Sequence, residues 1–260
     1  MKIKFFFFLL CVSLISWVSV AQTTVTDAMV HEIITECVSK TGGFIVREEI
    51  KDNLDKETHI ALPKDYNHYV ITKTLRSLMI EIENYYYPVK SWKVLDNGYL
   101  CSFHIAKDAS KRSLLFVYRP DNGSLVILDS PNNSINISMP ESFVDKLQNA
   151  VVWGAVNLLG GFIREETLEN ISPVDIQYRV FIQLQKDATS ASVVSELKPV
   201  SIMLETAYYL AEAWKQDENA GLECEFFAQL ENEKKNMMIY FYYLPKSQVL
   251  TINFVTGPAE

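Results

Sequence analysis

Cysteine is scarce in this chain, and the few cysteines do not form a recognisable site. Of the four, Cys11 lies in an N-terminal apolar run, which leaves Cys37, Cys101 and Cys224. An odd number of widely spaced cysteines excludes a disulfide-stabilised scaffold, and no Cys-x-x-Cys spacing offers a structural zinc site. Cys101 and Cys224 each alternate with apolar neighbours, so we expect both sulfurs on the buried face of a strand.

Catalytic motifs are also missing. The chain has no Walker-type glycine loop, Gly-x-Ser-x-Gly elbow, His-Glu-x-x-His pair or Gly-x-Gly-x-x-Gly fingerprint. All four histidines lie in its first half, and we expect His104 to face water. His59 and His68 are separated by a proline-containing stretch, which is not a metal-ligand spacing. The sequence therefore predicts no metal site and no cofactor.

Basic residues are too few to favour anionic partners. Lysine and arginine number 24 against 32 aspartates and glutamates. Lys2 and Lys4 belong to the N-terminal segment, and removing them leaves 22 basic residues and a net charge of −10. A surface of this sign repels phosphate backbones and anionic lipids. Nucleic acid is thereby excluded as a partner, and so is an anionic membrane surface.

The N-terminal residues have the composition of a secretory signal. A basic start is followed by the apolar run Phe5–Val18 and by the small residues Ser19-Val20-Ala21. The run is shorter than the roughly 20 residues that a spanning helix needs, so we expect cleavage after Ala21 and no stable membrane insertion. The Ala-Gln junction resembles that of exported proteins of Gram-negative bacteria, which implies a periplasmic or extracellular location.

A repeat dominates the rest of the chain. The matched segments keep the same order, at separations that drift only from 117 to 124 residues. They are Gly42–Glu49 with Gly160–Glu166, Ser77–Glu81 with Ser201–Glu205, Trp92 with Trp214, and Cys101–Phe103 with Cys224–Phe226. Chance similarity does not stay collinear over this length. We therefore predict a tandem duplication.

Each copy predicts an α+β unit: helix, strand, helix, then a β-meander. The predicted division is a signal peptide over 1–21, a first repeat domain over 22–130, a linker over 131–141 and a second repeat domain over 142–260, each domain with its own sheet. The first helices are expected to follow Thr26 and Ser142, and to end at Gly42 and Gly160.

The second helix of each copy is predicted from an apolar stripe. The stripe contains Leu75, Leu78, Met79, Ile82 and Tyr85 in the first copy, matched by Ile202, Met203, Thr206 and Tyr209 in the second. Pro199 is expected in the first turn of the later helix, because a proline further inside breaks a helix. Period-two patterns then predict strands near 99–106, 113–119, 124–129, 222–230, 236–244 and 248–254.

The sequence Arg-Glu-Glu occurs in both copies and supplies the candidate catalytic residues. These are Glu48, Glu49, Glu165 and Glu166, with His59 or His68 as a further acid or base. Adjacent residues of a strand point to opposite faces, so an acid–base pair has to form between the copies. The alternative is an Arg–carboxylate bridge that only stabilises the fold.

Tyrosines are the candidate binding residues. Tyr86, Tyr87, Tyr240 and Tyr242 lie in two aromatic clusters that exceed what one core face holds. Tyrosine on a sheet can stack on a sugar or contact a protein, and the alternative is packing between the domains.

Two functional hypotheses follow. The first is an exported, non-catalytic binding protein, such as an inhibitor, immunity factor or envelope accessory, whose partner is a protein or a carbohydrate. Tandem helix-and-sheet units resemble some secreted inhibitor proteins, and the acidity favours a basic partner. The second is a hydrolase with a carboxylate-lined cleft between the two repeats.

Overall fold

A computed structural model describes residues 24–134, 142–172, 175–207, 209–216, 221–230 and 235–258. The predicted leader and residues 135–141 of the predicted linker lie outside this part of the chain. Four helices are found in the described residues: α1 Asp27–Thr41, α2 His68–Ile82, α3 Phe143–Leu159 and α4 Ser190–Ala207. None of these helices is long and apolar enough to cross a membrane.

Twelve strands in the described residues form one sheet, so the protein is α+β. The strands are β1 Phe44–Ile50, β2 Lys56–Ala61, β3 Tyr86–Val94, β4 Leu100–Ala106, β5 Ser113–Arg119, β6 Ser124–Ser130, β7 Phe162–Asn170, β8 Ile176–Gln183, β9 Tyr209–Gln216, β10 Leu222–Leu230, β11 Lys235–Leu244 and β12 Val249–Pro258. Their order is β1-β2-β6-β5-β4-β3-β7-β8-β12-β11-β10-β9. The last six strands repeat the order of the first six.

The two halves share one sheet, and the prediction of a separate sheet for each domain is wrong. Strands β3 and β7 run parallel and pair at Lys93 and Ile163. Next to this strand junction, the Thr72 hydroxyl of α2 donates to the Gly160 carbonyl after α3 at 2.8 Å. In the order of the sheet, β3 is the last strand of the first half and β7 is the first strand of the second half. Their parallel pairing joins the two halves. The predicted domain boundaries remain a prediction.

Both first helices begin and end where the sequence predicts. The Thr26 hydroxyl accepts from the Met29 N–H at 3.3 Å, and the Ser142 hydroxyl accepts from the Asp145 N–H at 3.0 Å. Gly42 and Gly160 end the helices with φ of 63° and 62°. This left-handed conformation carries little cost only without a Cβ, so glycine fixes both helix ends.

All four helices form one layer on one face of the sheet. Consecutive helices contact one another, and a single buried cluster links the apolar stripe of every helix to alternating strand residues. The largest fully buried strand side chains are Trp92, Tyr86, Tyr118, Tyr243, Phe116, Phe226 and Phe254. Within the described residues, no helix covers the opposite face. Each helix buries its apolar stripe against the same face of the sheet. This burial accounts for the architecture of one helix layer on one sheet.

Two tyrosine hydrogen bonds show which residues of the two halves correspond, without reference to sequence similarity. The Tyr118 hydroxyl of β5 donates to the Tyr66 carbonyl just before α2 at 2.8 Å. The Tyr243 hydroxyl of β11 makes the same bond to the Ala188 carbonyl just before α4, also at 2.8 Å. Tyr118 and Tyr243 therefore occupy one position of the repeated unit.

This alignment corrects the pairing of the cysteines. Leu100 lies opposite Tyr118, and Leu222 lies opposite Tyr243, so Ser102 and not Cys101 is the counterpart of Cys224. A shift of one residue moves a strand side chain to the other face. Cys224 is accordingly buried on the helix side, whereas Cys101 is only half-buried on the opposite face. The prediction of a buried sulfur is wrong for Cys101.

The apolar stripe of α4 was predicted two residues out of register. Its buried residues are Val193, Leu197, Val200 and Leu204, which match Ile71, Leu75, Leu78 and Ile82 of α2. Ile202 and Met203 are exposed, Tyr85 follows the end of α2, and Tyr209 begins β9. The equivalence of Tyr66 and Ala188 gives an offset of 122 residues, whereas the match of Ser77 with Ser201 used an offset of 124.

Pro199 lies in the middle of α4 and not in its first turn. Its side chain is exposed, and the buried residues Leu197 and Val200 flank it. A proline inside a helix costs about 3 kcal/mol or more. Burial of an apolar side chain contributes about 1.5–3 kcal/mol, so four such residues offset the cost.

Candidate functional site

The two Arg-Glu-Glu segments are not equivalent residue by residue. In the first half Arg47 and Glu48 lie opposite His59 and Thr58, and the register shifts between Ile45 and Arg47. In the second half Glu165 and Glu166 lie opposite Phe181 and Val180, with the same shift between Ile163 and Glu165. Glu48 therefore matches Glu166, and Arg47 matches Glu165. The extra residue of the bulge is Val46 in one half and Arg164 in the other.

The candidate carboxylates of the two halves lie far apart. Strand β1 is at one edge of the sheet, and five strands separate it from β7. At about 4.8 Å between neighbouring strands, this separation is roughly 29 Å. Glu48 and Glu49 therefore do not share a cleft with Glu165 and Glu166, and the cleft required by the hydrolase hypothesis does not form.

Glu49, Glu57 and His59 form a cluster on the face away from the helices. Their oxygen and nitrogen atoms lie within 4.8 Å of one another, close enough for a metal ion. Arg47 already occupies this position, since its guanidinium lies 3.1 Å from Glu49 Oε1 and 3.0 Å from His59 Nε2. Lys51 bonds Glu57 and holds the pKa of that carboxyl below its usual range. Two cations thus neutralise the two acids, which does not favour a metal.

Glu48 points to the helix face, opposite in direction to Glu49. Its Oε1 atom lies 2.9 Å from Lys56 Nζ, and the hydrogen bond from Lys56 lowers the pKa of Glu48. The Thr58 hydroxyl donates to the same oxygen at 3.4 Å. As predicted for neighbours on a strand, the two acids cannot exchange a proton.

The remaining histidines take structural positions. His68 Nε2 lies 2.8 Å from the Gly98 carbonyl oxygen, and its ring packs on Tyr118 and Phe162. It is on the helix side of the sheet and away from His59. His68 is the first residue of α2 and directly follows the capping Asn67. This place at a helix start could have been predicted from the sequence, since asparagine is a common helix cap.

His104 is buried, so the expectation that it faces water is wrong. Its Nε2 atom lies 2.8 Å from the Ser102 hydroxyl, and its ring meets Phe116 and Trp153 edge-on. Burial lowers the pKa of His104 to about 3, because the charged ring would lose its hydration. Ser102 and His104 lie on the core face of β4. The prediction had assigned this face to the neighbouring residues of the strand, an error of one residue.

The candidate tyrosines divide between core and surface. Tyr86 is fully buried and Tyr87 is half-buried, so neither forms a binding surface. Tyr240 is exposed on the face away from the helices, and the half-buried ring of Tyr242 lies against Gly221. A stacking platform of four tyrosines therefore does not form.

A groove lies between the first helix and the first strands of each half. In the first half, which we call the open groove, it is lined by Asp27, Val30, His31, Ile34, Ile50, Leu54, Lys56, Arg112, Asp129 and Pro131. In the second half, which we call the junction pocket, the lining is Val89, Lys90, Ser91, Lys93, Asp145, Gln148, Asn149, Val152, Ile163, Glu166 and Tyr178. The volumes are about 480 and 350 Å³.

The two cavities are the same site of the repeated unit. Five lining positions correspond: Asp27 with Asp145, Val30 with Gln148, His31 with Asn149, Ile34 with Val152, and Lys56 with Tyr178. Strand β3 forms the outer wall of the junction pocket and supplies four of its lining residues, Val89, Lys90, Ser91 and Lys93. The open groove has no such wall in the described residues, because β1 is the edge strand.

Ionic contacts close the junction pocket. Lys93 of β3 forms an ion pair with Glu166 of β7. The Tyr178 hydroxyl donates to Glu166 Oε1 at 2.6 Å. Burial, followed by the Glu166 charge, raises the pKa of Tyr178, so the phenol stays protonated and remains a donor. Glu166, one of the predicted catalytic acids, therefore fastens the two halves together.

The floor of the open groove is built on a buried ion pair. Arg112 donates to Asp129 through Nε at 2.7 Å and through Nη2 at 2.5 Å. Its Nη1 atom lies 2.8 Å from the exposed Asp27 at the start of α1. The bonds to Asp129 raise the pKa of Arg112, which keeps the guanidinium charged.

Apolar residues of β7 that are buried at the junction have exposed counterparts in the edge strand β1. Phe162 is 6% exposed and its counterpart Phe44 is 63% exposed. Ile163 is 2% exposed and its counterpart Ile45 is 42% exposed. Ile50, at 74%, and Leu54 extend this apolar patch along the groove. One signal for the patch was visible in the sequence, namely isolated apolar residues inside the charged stretch that follows Glu49.

Comparisons with known proteins add little. No protein family matches the chain, and no curated protein matches it. Among solved structures, a Tle4–Tli4 complex is 12% identical over 80% of this chain and 78% of that chain, with a TM-score of 0.20. A conserved hot dog fold protein of unknown function from Alicyclobacillus acidocaldarius is 10% identical over 91% and 99%, with a TM-score of 0.17. Similarity this low carries no argument about function.

Proposed function

We propose that this protein is an exported, non-catalytic binding protein that contacts a partner protein through β1 and the open groove. The observation that carries this proposal is the exposure of Phe44 and Ile45. Their counterparts in the second half need to be apolar because the first half covers them. Phe162 packs on His68 and Tyr69 of α2, and Ile163 lies beside β3. At a solvated edge the same positions gain nothing from staying apolar, so a covering partner explains them.

An edge strand also offers backbone groups for recognition. The outer N–H and C=O groups of β1 pair with no strand in the described residues. A partner segment that pairs with such an edge gains main-chain hydrogen bonds, and side-chain pockets beside the strand add selectivity. The open groove, with Ile50 and Leu54 at its rim, is such a pocket.

Charge indicates which partner approaches fastest. The chain carries a net charge of −8 with its N-terminal segment, and export would remove two lysines. A basic partner protein is steered toward an acidic one, and a carbohydrate without charge is not. The exposed patch is apolar and continuous with a strand edge, which suits a polypeptide better than a sugar.

The arrangement of the acids supports binding over catalysis. Glu49 is paired with Arg47, Glu48 with Lys56 and Glu166 with Lys93. No residue is shared between these three ion pairs. General acid–base catalysis needs an acid and a base that reach the same substrate bond. The hydrolase hypothesis has no such pair among these candidates.

We also infer that the two halves are copies of one ancestral unit. The repeated strand order, the shared bulge in β1 and β7, and the matching groove positions support this inference. Duplication leaves one edge of the first copy uncovered unless a further element meets it. The proposed binding site is that uncovered edge.

Affinity capture tests the proposed function. We would immobilise the protein and measure which secreted and envelope proteins of its own source cells it retains. Ile50→Asp with Leu54→Asp is expected to lower recovery of the true partner at least about tenfold, because charge is placed in an apolar contact. Leu168→Asp is the matched control, since Leu168 is the counterpart of Ile50 and is 73% exposed. Equal retention by both variants would contradict the proposal.

A further inference from the structure

The covered groove of the second half shows what fits the open groove of the first. Resting on the proposed function, we propose that the partner inserts an extended segment that lies parallel to β1 and presents a lysine or arginine to Glu48. Strand β3 is the template, since it covers the same site next to β7. The proposal concerns the direction of the partner chain and the charge of one of its side chains.

The direction comes from the pairing at the junction. Strand β3 runs parallel to β7, and Lys93 lies opposite Ile163. Ile45 is the counterpart of Ile163, because each pairs with the buried isoleucine of the following strand, Ile60 or Ile182. A segment that takes the place of β3 therefore sets one residue opposite Ile45, and this residue reaches the carboxylate of Glu48.

The charge comes from the ion pair at the junction. At the junction, Lys93 of the covering strand β3 forms an ion pair with Glu166 of β7. Glu48 occupies the corresponding position in β1. Phe44, Ile45 and Glu48 retain the residue types of Phe162, Ile163 and Glu166. A partner cation at this point joins Lys56 around the Glu48 carboxylate, whose side chain is 44% exposed.

The open groove differs from the junction pocket in ways that define the rest of the segment. Lys56 occupies the position that Tyr178 has in the second half. Glu48 therefore already has one cationic neighbour at 2.9 Å, and the incoming cation shares the Glu48 carboxylate with Lys56. Val30 replaces Gln148, and Ile50 and Leu54 add apolar surface along the rim. Apolar side chains are therefore expected next to the basic residue of the segment.

A second copy of the chain is the competing occupant. Its β9 corresponds to β3, and Lys215 lies at the position of Lys93, since Lys215 is opposite Glu223 as Lys93 is opposite Cys101. The helix contacts of the junction are not repeated at the free ends, however. Trp153 is buried at the junction, and its counterpart Thr35 is exposed. These differences favour a foreign segment over a head-to-tail copy.

A peptide with the sequence of residues 86–95, labelled at its N-terminus, is the probe. Its fluorescence anisotropy is titrated with the protein, and the backbone amides of β1 are followed by NMR. Saturable binding that shifts β1 amides is expected. Glu48→Lys, or Lys93→Glu in the peptide, is expected to weaken binding at least about tenfold, and the two reversals together restore it. Reversing Glu36 and Lys40, a half-buried ion pair on α1, is the matched control and is expected to change nothing.

Three results overturn the inference. One is no binding of the peptide, and another is binding that the Glu48 reversal leaves unchanged. The third is self-association of the protein that Lys215→Glu abolishes, which identifies a second copy as the occupant. The binding function itself is judged separately, because partner capture that depends on Ile50 and Leu54 stands or fails without reference to Glu48.

Discussion

Glu48 and Glu166 occupy the same position in the two halves, yet they have different partners. Glu166 joins Lys93 across the junction and accepts the Tyr178 hydroxyl at 2.6 Å, whereas Glu48 meets Lys56 of the neighbouring strand at 2.9 Å. The first contact connects the halves, and the second lies at a free edge. Corresponding carboxylates are therefore a structural link in one half and part of the proposed binding site in the other.

The first prediction compares these two acids. Glu166→Gln is expected to lower the free energy of unfolding by about 1.5–3 kcal/mol, since it removes a charged hydrogen-bond acceptor at a half-buried contact. Glu48→Gln is expected to cost about 0.2–1 kcal/mol, because its ion pair is exposed. Urea denaturation of both variants measures the difference. Equal losses would mean that the Lys93 contact does not stabilise the junction.

The second prediction concerns the buried ion pair under the open groove. Arg112→Ala is expected to cost about 3–5 kcal/mol, because Asp129 is then buried without its partner. Replacing both residues, as in Arg112→Met with Asp129→Leu, is expected to recover most of this loss. Thermal unfolding of the single and double variants checks it. A double variant as unstable as the single one would show that the groove needs the pair itself.

The third prediction is a pH dependence from His104. Its pKa in the fold is about 3, below the value of about 6.5 in an unfolded chain. The unfolded state therefore binds a proton first, and stability is lost as the pH falls from about 6.5 toward 3. Between pH 6.5 and 5 the loss is about 2 kcal/mol for this one group. In His104→Phe, which keeps the ring contacts with Phe116 and Trp153, this part of the slope is expected to vanish.

The control for this prediction is a histidine at the surface. His31 is exposed on α1, so His31→Phe is expected to leave the slope of unfolding free energy against pH as it is in the parent protein. If the parent and His104→Phe proteins lose stability in parallel as the pH falls, His104 is charged in the fold or does not control this transition.

The fourth prediction distinguishes the cysteines. Burial raises the pKa of Cys101 to about 11 and that of Cys224 to about 12, and Cys37 is fully buried. We expect a thiol reagent at pH 8 to label Cys101 alone without denaturant, and more slowly than a free thiol. Mass spectrometry after timed labelling identifies the site. Early label on Cys37 or Cys224 would show that the core opens locally.

Patterns within single elements predicted much of the fold. The caps at Thr26, Ser142, Gly42 and Gly160 act on backbone groups a few residues away, so the sequence states them directly. The meander strands of the first half were placed within a few residues for the same reason, since their turns carry glycine, asparagine and aspartate. Those of the second half were placed from their alternating apolar residues. Strand β2 was missed because it is short and polar. Strands β3 and β9 were missed because register shifts interrupt their period-two pattern.

The candidate site could be predicted only in part. The sequence selected Glu48 and Glu166 as candidate catalytic acids, with a structural Arg–carboxylate bridge as the alternative, and it matched Glu48 with Glu165. A bulge shifts the face of every residue that follows it, and nothing in Val46 or Arg164 announces a bulge. Lys93, Tyr178, Ile50 and Leu54 carry no local signal of their role, because their importance depends on which strand lies beside them.

The sequence by itself determined an α+β protein with an internal repeat, two capped helices and an acidic charge. Each of these properties depends on composition or on contacts over a few residues. The tertiary structure alone decided that the halves join into one sheet, with β3 covering β7 and nothing described covering β1. That outcome depends on the register of edge strands and on which side chains meet across them, interactions between residues separated by about seventy positions or more. The free edge of the first half and the covered edge of the second are visible only in three dimensions, and the proposed binding site is that free edge.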